Sequence, residues 1–193
     1  MIYFQLICKI ILGCYREFGI REILTRTMRE ILGCICKPDV SLDISFVTEN
    51  LGIGAAPRSK DAVRELKGLG ITHLIDLRAE RKESNILTES NEMIVHWVPT
   101  YDDWQPKPLD FYTKLGDEIK KSMLVKGDAK LFICCGAGKH RAPLAGVFAL
   151  GTMGYSLDDA VLMIKKARPN AELLPVYISS LRSYHAGRVE RNH

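Results

Sequence analysis

About two thirds of the way along the chain, a strand, a loop and a helix follow one another without a spare residue, and this constrains the fold more than any other feature. After Lys130 the run Leu131-Phe132-Ile133-Cys134 is apolar and β-rich; Cys135-Gly136-Ala137-Gly138-Lys139-His140-Arg141 is built mostly of small residues; Ala142-Pro143 then opens an apolar helical stretch. A buried strand that runs straight into a helix must return over the sheet it leaves, the arrangement of a parallel sheet covered by helices. The segments around it alternate in the same way. Leu42 to Val47 and Leu51 to Ile53 predict a hairpin turning at Glu49-Asn50, and Ser59 predicts the cap of a helix through Val63 and Leu66 to the glycines at 68 and 70. Ile71 to Leu77 and Ile94 to Val98 read as strands, the second followed by a loop containing Pro99, Pro106 and Pro108. Helices are expected from Leu109 to Ser122, from Ala142-Pro143, from the cap Ser156 (with Asp159 three residues on) to Pro169, and from Glu172 to Tyr184. The expectation is an α/β fold with a central, mainly parallel sheet of about four to five strands flanked by helices.

With 193 residues, the chain is long enough for one self-sufficient domain and an appended segment. Its 47% hydrophobic and 26% charged residues exclude a disordered, collagen-like or coiled-coil chain. The net charge of +4 suits a small anionic substrate better than extensive phosphate neutralisation, so DNA is not an expected partner. Six cysteines (8, 14, 34, 36, 134 and 135) lack the paired spacing of a zinc site or dithiol, so neither a metal nor another cofactor is expected, and a reducing cytoplasm is the simplest location.

Residues 1–40 form a separate unit: Phe18, Ile23, Leu24, Met28, Ile31 and Leu32 recur at helical spacing among charges, with Pro38 as the outer limit. The division expected is thus an amphipathic segment 1–40, a catalytic domain 41–185 and a basic tail 186–193. Gln5 and Lys9 break the apolar run from Met1 to Cys14, and no run reaches about 18 apolar residues, against a spanning helix or secretory signal. Packing of this helix on the domain is the favoured reading. Cys8, Cys14, Cys34 and Cys36 on an apolar, basic segment leave acylation or weak membrane-surface docking through residues 1–37 open, and with it a peripheral membrane location.

The chemistry is expected in the loop after the 130–134 strand. Five residues, Gly136, Ala137, Gly138, Lys139 and His140, let successive backbone N–H groups turn inward around a tetrahedral anion, and the following helix N-terminus adds favourable potential. The same field favours a thiolate nucleophile at Cys135. Arg141 supplies a planar fork for two phosphate oxygens. An attack on a phosphate ester also needs a proton for the leaving oxygen, and Pro99-Thr100-Tyr101-Asp102-Asp103-Trp104 brings two carboxylic acids to the carboxyl end of a neighbouring strand.

The stretch from about Leu42 to Leu181, about three quarters of the chain, resembles a compact dual-specificity phosphatase of the cysteine-based protein tyrosine phosphatase superfamily. The likeness rests on Cys, five residues and Arg between strand and helix, on a Pro-x-x-Asp loop upstream, on Gly52-Ile53-Gly54 before Ala56-Pro57, and on Arg168-Pro169 before a closing helix. It implies that Cys135 is the nucleophile, Arg141 the phosphate clamp, Asp102 the general acid with Asp103 as alternative, and residues 136–140 the phosphate-binding loop. The implied reaction is hydrolysis of phosphotyrosine, and in the wider reading phosphoserine and phosphothreonine, through a cysteinyl phosphate. Ala137-Gly138-Lys139 also resembles phosphoinositide phosphatases, which leaves lipid substrates as an alternative.

Two residues depart from the family pattern: Cys134 stands where His is usual, and Ala142 where Ser or Thr is usual. The missing hydroxyl would ordinarily assist thiolate departure, so slow turnover, or a phosphate-binding pseudophosphatase, is a further alternative. Elsewhere, Asp76 and Arg78 are expected to pair locally, His73 and His96 to pack, Cys134 to be a core residue, and Trp104 either to anchor its loop or to stack on substrate.

Overall fold

Each strand is a short apolar run closed by turn-forming or polar residues, and the sheet orders them so that the most apolar run lies at its centre. The computed structural model describes residues 42–80, 93–124 and 129–189; the helix expected within 1–40 and the docking segment 1–37 lie outside them. Strands β1 (Ile44–Thr48) and β2 (Leu51–Ala55) form the expected hairpin, pairing antiparallel across Glu49-Asn50. Helix α1 (Lys60–Gly68) follows, capped by the Ser59 hydroxyl, which accepts from Ala62 N at 3.1 Å. Strands β3 (Ile71–Arg78) and β4 (Ile94–Thr100), helix α2 (Leu109–Leu124), strand β5 (Lys130–Cys135) and helices α3 (Arg141–Thr152), α4 (Leu157–Ala167) and α5 (Pro175–Val189) complete the order.

The five strands lie in the order β1-β2-β5-β3-β4, and every pair after the hairpin is parallel. Parallel pairing brings the carboxyl ends of β2, β5, β3 and β4 to one edge, where the loops carrying Cys135, Glu80 and Asp102 begin. Alternation along β5 divides the core. Phe132 and Cys134 face the layer with Val63 and Leu66 of α1, whereas Leu131, Ile133 and Cys135 face the larger layer with Leu115, Leu144, Phe148, Tyr177 and Leu181. Fully burying each such apolar side chain contributes about 1.5–3 kcal/mol, which fixes the register of β5 and so the position of the loop after it.

Most boundaries shift by a residue or two, and three of the differences have a physical reason. β4 runs on through Pro99 to Thr100 because β4 is an edge strand, where a missing N–H costs no ladder bond. α5 starts at Pro175 rather than Glu172: Glu172 N instead donates to Lys139 O at 2.7 Å, tying that segment to the loop after β5. The same helix reaches Val189, into the segment expected as a tail, and residues 190–193 lie outside the described chain.

Candidate active site

The loop between β5 and α3 is shaped from behind by its own carbonyls. Arg168 Nε donates to Gly138 O at 2.7 Å and its Nη2 to Ala137 O at 3.4 Å, while Glu172 N takes Lys139 O. Because a peptide group is planar, drawing the carbonyls of 137, 138 and 139 outward turns the N–H groups of Gly138, Lys139 and His140 inward. Among the described residues, no protein acceptor takes the amides of 136–140. Arg168 is itself buried and held bidentately by Asp43, at 2.8 and 2.7 Å. Gly138 is required here: its φ is +65°, and a Cβ would lie 2.5 Å from Gly54 C and 2.6 Å from Arg168 Nη2. Cys135 ends β5 at the mouth of this ring, 1% exposed, its carbonyl accepting from Ala56 N at 2.8 Å.

Arg141 opens α3 and is aimed by three acceptors. Its Nη1 and Nη2 bond Glu80 Oε2 and Oε1 at 2.7 and 2.8 Å, and Nη1 also reaches Thr100 O at 3.0 Å. Nε is buried, lies 3.5 Å from Asp102 Oδ2 and has no hydrogen-bond partner, so this edge of the fork is the one left to meet an anion. Burial would lower the guanidinium's proton affinity, but Asp102 and Glu80 override it and keep the charge fixed. Burial likewise works against the Glu80 carboxylate, and the Arg141 hydrogen bonds hold it below the usual carboxylate range. Sequence reasoning missed Glu80. Its signal was position alone, two residues beyond the carboxyl end of a central strand.

Adjacent Asp102 and Asp103 occupy different settings. Asp102 lies at the site: Oδ1 accepts from Tyr177 OH at 3.1 Å, and His140 Nδ1 lies 3.2 and 3.1 Å from Oδ1 and Oδ2. Asp103 instead receives Lys107 Nζ at 2.7 Å and Gln105 N at 3.2 Å, and Lys107 also donates to Tyr101 O at 2.5 Å and lies 4.4 Å from the Tyr177 ring centroid. Burial alone would raise the Asp102 pKa, but the charges of His140 and Arg141 override it and hold the carboxyl far below its ordinary range. Burial would lower His140, yet Asp102, aided by Glu172, pushes it up to about 10. His140 is therefore no solvated loop residue. It is 4% exposed, with the Trp104 ring edge-on at 5.5 Å.

Trp104 anchors its loop rather than offering a face to substrate: it is 5% exposed, takes φ +57°, and its N donates to Tyr177 OH at 3.2 Å. Lys139 is half-buried on the loop. Arg78 is occupied by Asp76, with Nη2 to Oδ2 at 2.6 Å, and His73 stacks on His96 at 5.9 Å. Cys134 is fully buried, which pushes its thiol well up and fits a core role. Ala142 is fully buried as well, directly behind Arg141 in the first turn of α3.

No family model matches this sequence, and neither does any curated protein. Solved structures do match the fold. Human DUSP28 is 24% identical, with a TM-score of 0.63, over 78% of this chain and 95% of that one. A mouse putative dual specificity phosphatase complexed with zinc tungstate is 24% identical, with a TM-score of 0.65, over 81% and 93%. PTPMT1 in complex with PI(5)P is 15% identical, with a TM-score of 0.65, over 78% and 99%. The strand order, the loop between β5 and α3 and these superpositions together give the chain the fold of the compact dual-specificity phosphatases.

Proposed function

We propose that this protein is a cysteine-dependent phosphatase that hydrolyses phosphotyrosine, and phosphoserine or phosphothreonine, in protein substrates. The observation that carries the reading is the convergence on Cys135 of inward-turned amides and an Arg141 fork held by Glu80. In the first step the Cys135 thiolate forms a bond to phosphorus, and the leaving oxygen departs with its electron pair and a proton from Asp102. The amides of 136–140 and the Arg141 Nε edge follow the charge as the phosphoryl group becomes planar. In the second step water attacks phosphorus, Asp102 takes its proton, and the thiolate leaves. Thiolate, guanidinium and amides supply nucleophile and charge neutralisation, so no metal enters either step.

A phosphoinositide substrate is the second reading, favoured by Lys139 on the loop and by the fold shared with PTPMT1, whose structure holds PI(5)P. Hydrolysis of p-nitrophenyl phosphate in EDTA, abolished by Cys135→Ser, supports the enzyme; anion binding without turnover identifies a phosphate-binding module instead. Comparing phosphopeptides with phosphoinositides in vesicles then separates the two substrate classes.

A further inference from the structure

Asp102 is the acid in the reading above, yet its surroundings leave it without a proton in the resting protein. Three donors or cations converge on one carboxylate: Tyr177 OH at 3.1 Å, His140 Nδ1 at 3.1 Å and Arg141 Nε at 3.5 Å. The proton must come from a neighbour. Arg141 holds its charge throughout. Burial and the Asp102 charge push the Tyr177 hydroxyl far up, so Tyr177 keeps its proton. Lys107 is engaged with Asp103 and Tyr101. That leaves His140.

We propose that His140 is a positioning residue that stores the proton used on the leaving group and passes it through Asp102. This rests on the phosphatase reading and deepens it. The division of labour follows from access. The His140 side chain is 4% exposed, beneath Trp104, and cannot reach a leaving group; the Asp102 side chain is 27% exposed and can. The groups facing the imidazole fix its orientation: Asp102 on Nδ1 from the loop after β4, Glu172 with Oε2 3.5 Å from Nε2 ahead of α5, and Arg141 beside it in the chain. Lys107 and Tyr177 stand behind Asp102.

In the resting protein the proton sits on Nδ1. A phosphate dianion entering against Arg141 screens that guanidinium from Asp102 and raises the proton affinity of the carboxylate. The Nδ1 proton then moves to Asp102, and from the carboxyl it has just formed that same proton passes to the leaving oxygen as the S–P bond forms and the P–O bond breaks with its pair on oxygen. His140 is left neutral. During hydrolysis Asp102 takes a proton from the attacking water, the S–P bond breaks with its pair on sulfur, and the proton returns to Nδ1. Protons and charges balance over the cycle.

The test is His140→Gln in the full chain, because glutamine can still donate to Asp102 but stores no titratable proton. kcat/KM is measured for aryl phosphates of graded leaving-group basicity. Phenyl phosphate should lose about 100-fold, at least tenfold more than p-nitrophenyl phosphate loses, since general acid assistance matters most for the poor leaving group. The alkaline limb of the pH profile should move to lower pH. An equal loss for every substrate, with an unmoved limb, overturns the store and makes His140 merely structural. If the variant does not fold, ring 15N NMR of the wild-type histidines decides at pH 7.5: a His140 imidazolium in the free protein that loses its Nδ1 proton when inorganic phosphate fills the loop supports the store, and a ring that is neutral when free or unchanged on binding overturns it. Turnover that survives Cys135→Ser sinks the phosphatase reading itself, a result distinct from either.

Discussion

The loops after β5 and β4 lie side by side at the same edge of the sheet, yet their chemistry is fixed in opposite ways. The β5 loop presents backbone: Gly138 at positive φ, carbonyls drawn outward by Arg168, amides left inward. The β4 loop is made by remote side chains. Asp102 and Asp103 leave the same strand, and only His140, Tyr177 and Lys107, from two other elements and from later in the loop, decide which one faces the site. The cysteine, amides and arginine of the cradle thus lie within seven residues, with Arg168, Glu172 and Glu80 reaching in to shape and aim them, whereas the settings that separate Asp102 from Asp103 come from side chains beyond their own strand.

Breaking the first loop should have the largest effect. Arg141→Lys is expected to lower kcat/KM by about 10³-fold, because one ammonium cannot hold both Glu80 oxygens and still present an Nε edge to phosphate. Steady-state kinetics check it; a loss under tenfold would remove Arg141 from the site.

The second loop should separate activity from stability. Asp102→Asn is expected to cost about 100-fold in kcat/KM and to flatten the alkaline limb of the pH profile. Asp103→Asn should cost less than about tenfold in activity but about 3 kcal/mol in stability, because it leaves the buried Lys107 ammonium without its carboxylate. Activity assays paired with urea melts read both quantities, and the reverse ranking would exchange the two roles.

Ala142 sharpens the comparison at a smaller scale. On the proposed mechanism, forming a phosphocysteine would use groups that are present, whereas its breakdown would lack the hydroxyl usual in the phosphatases this sequence resembles, so rapid mixing with p-nitrophenyl phosphate should show a burst near one product per site. Ala142→Ser should raise the steady rate several-fold at constant burst size. No burst and no rate change would mean that another group already assists the departing sulfur.

The smallest effect links the loops through the ion pair between His140 and Asp102. The folded-state pKa of His140 is raised, so its contribution to stability is complete below about 6.5, the unfolded value, and is lost as pH rises through about 10. Asp102 is depressed, so its share persists above the unfolded value of about 3.9 and fails only at strongly acidic pH. The stability difference between wild type and His140→Gln should therefore hold steady from about pH 5 to 6.5 and shrink toward about pH 10. A constant difference across that range would show that the two groups are not coupled.

What could be read from sequence follows the same division. The hairpin turn, the caps at Ser59 and Ser156 and the strand from Lys130 leading into Cys135 were legible because each depends on neighbours in the chain. Pro99 looked like a loop residue because a sequence does not say which strand is at the edge. Arg168 was legible only as part of a family pattern; its work on Gly138 O, thirty residues away, was not. Glu80 and Tyr177 carried no local signal, since parallel pairing and the packing of α5 alone bring them to Arg141 and Asp102.

The central claim is that Cys135 becomes covalently phosphorylated, and acid quenching in the pre-steady state tests it directly. Wild-type protein mixed with p-nitrophenyl phosphate, quenched, digested and weighed should carry one phosphoryl group on the peptide spanning Leu131 to Arg141, on the sulfur of Cys135, and Cys135→Ser should not turn over. Unmodified peptide during active turnover, or turnover that survives Cys135→Ser, would contradict the account.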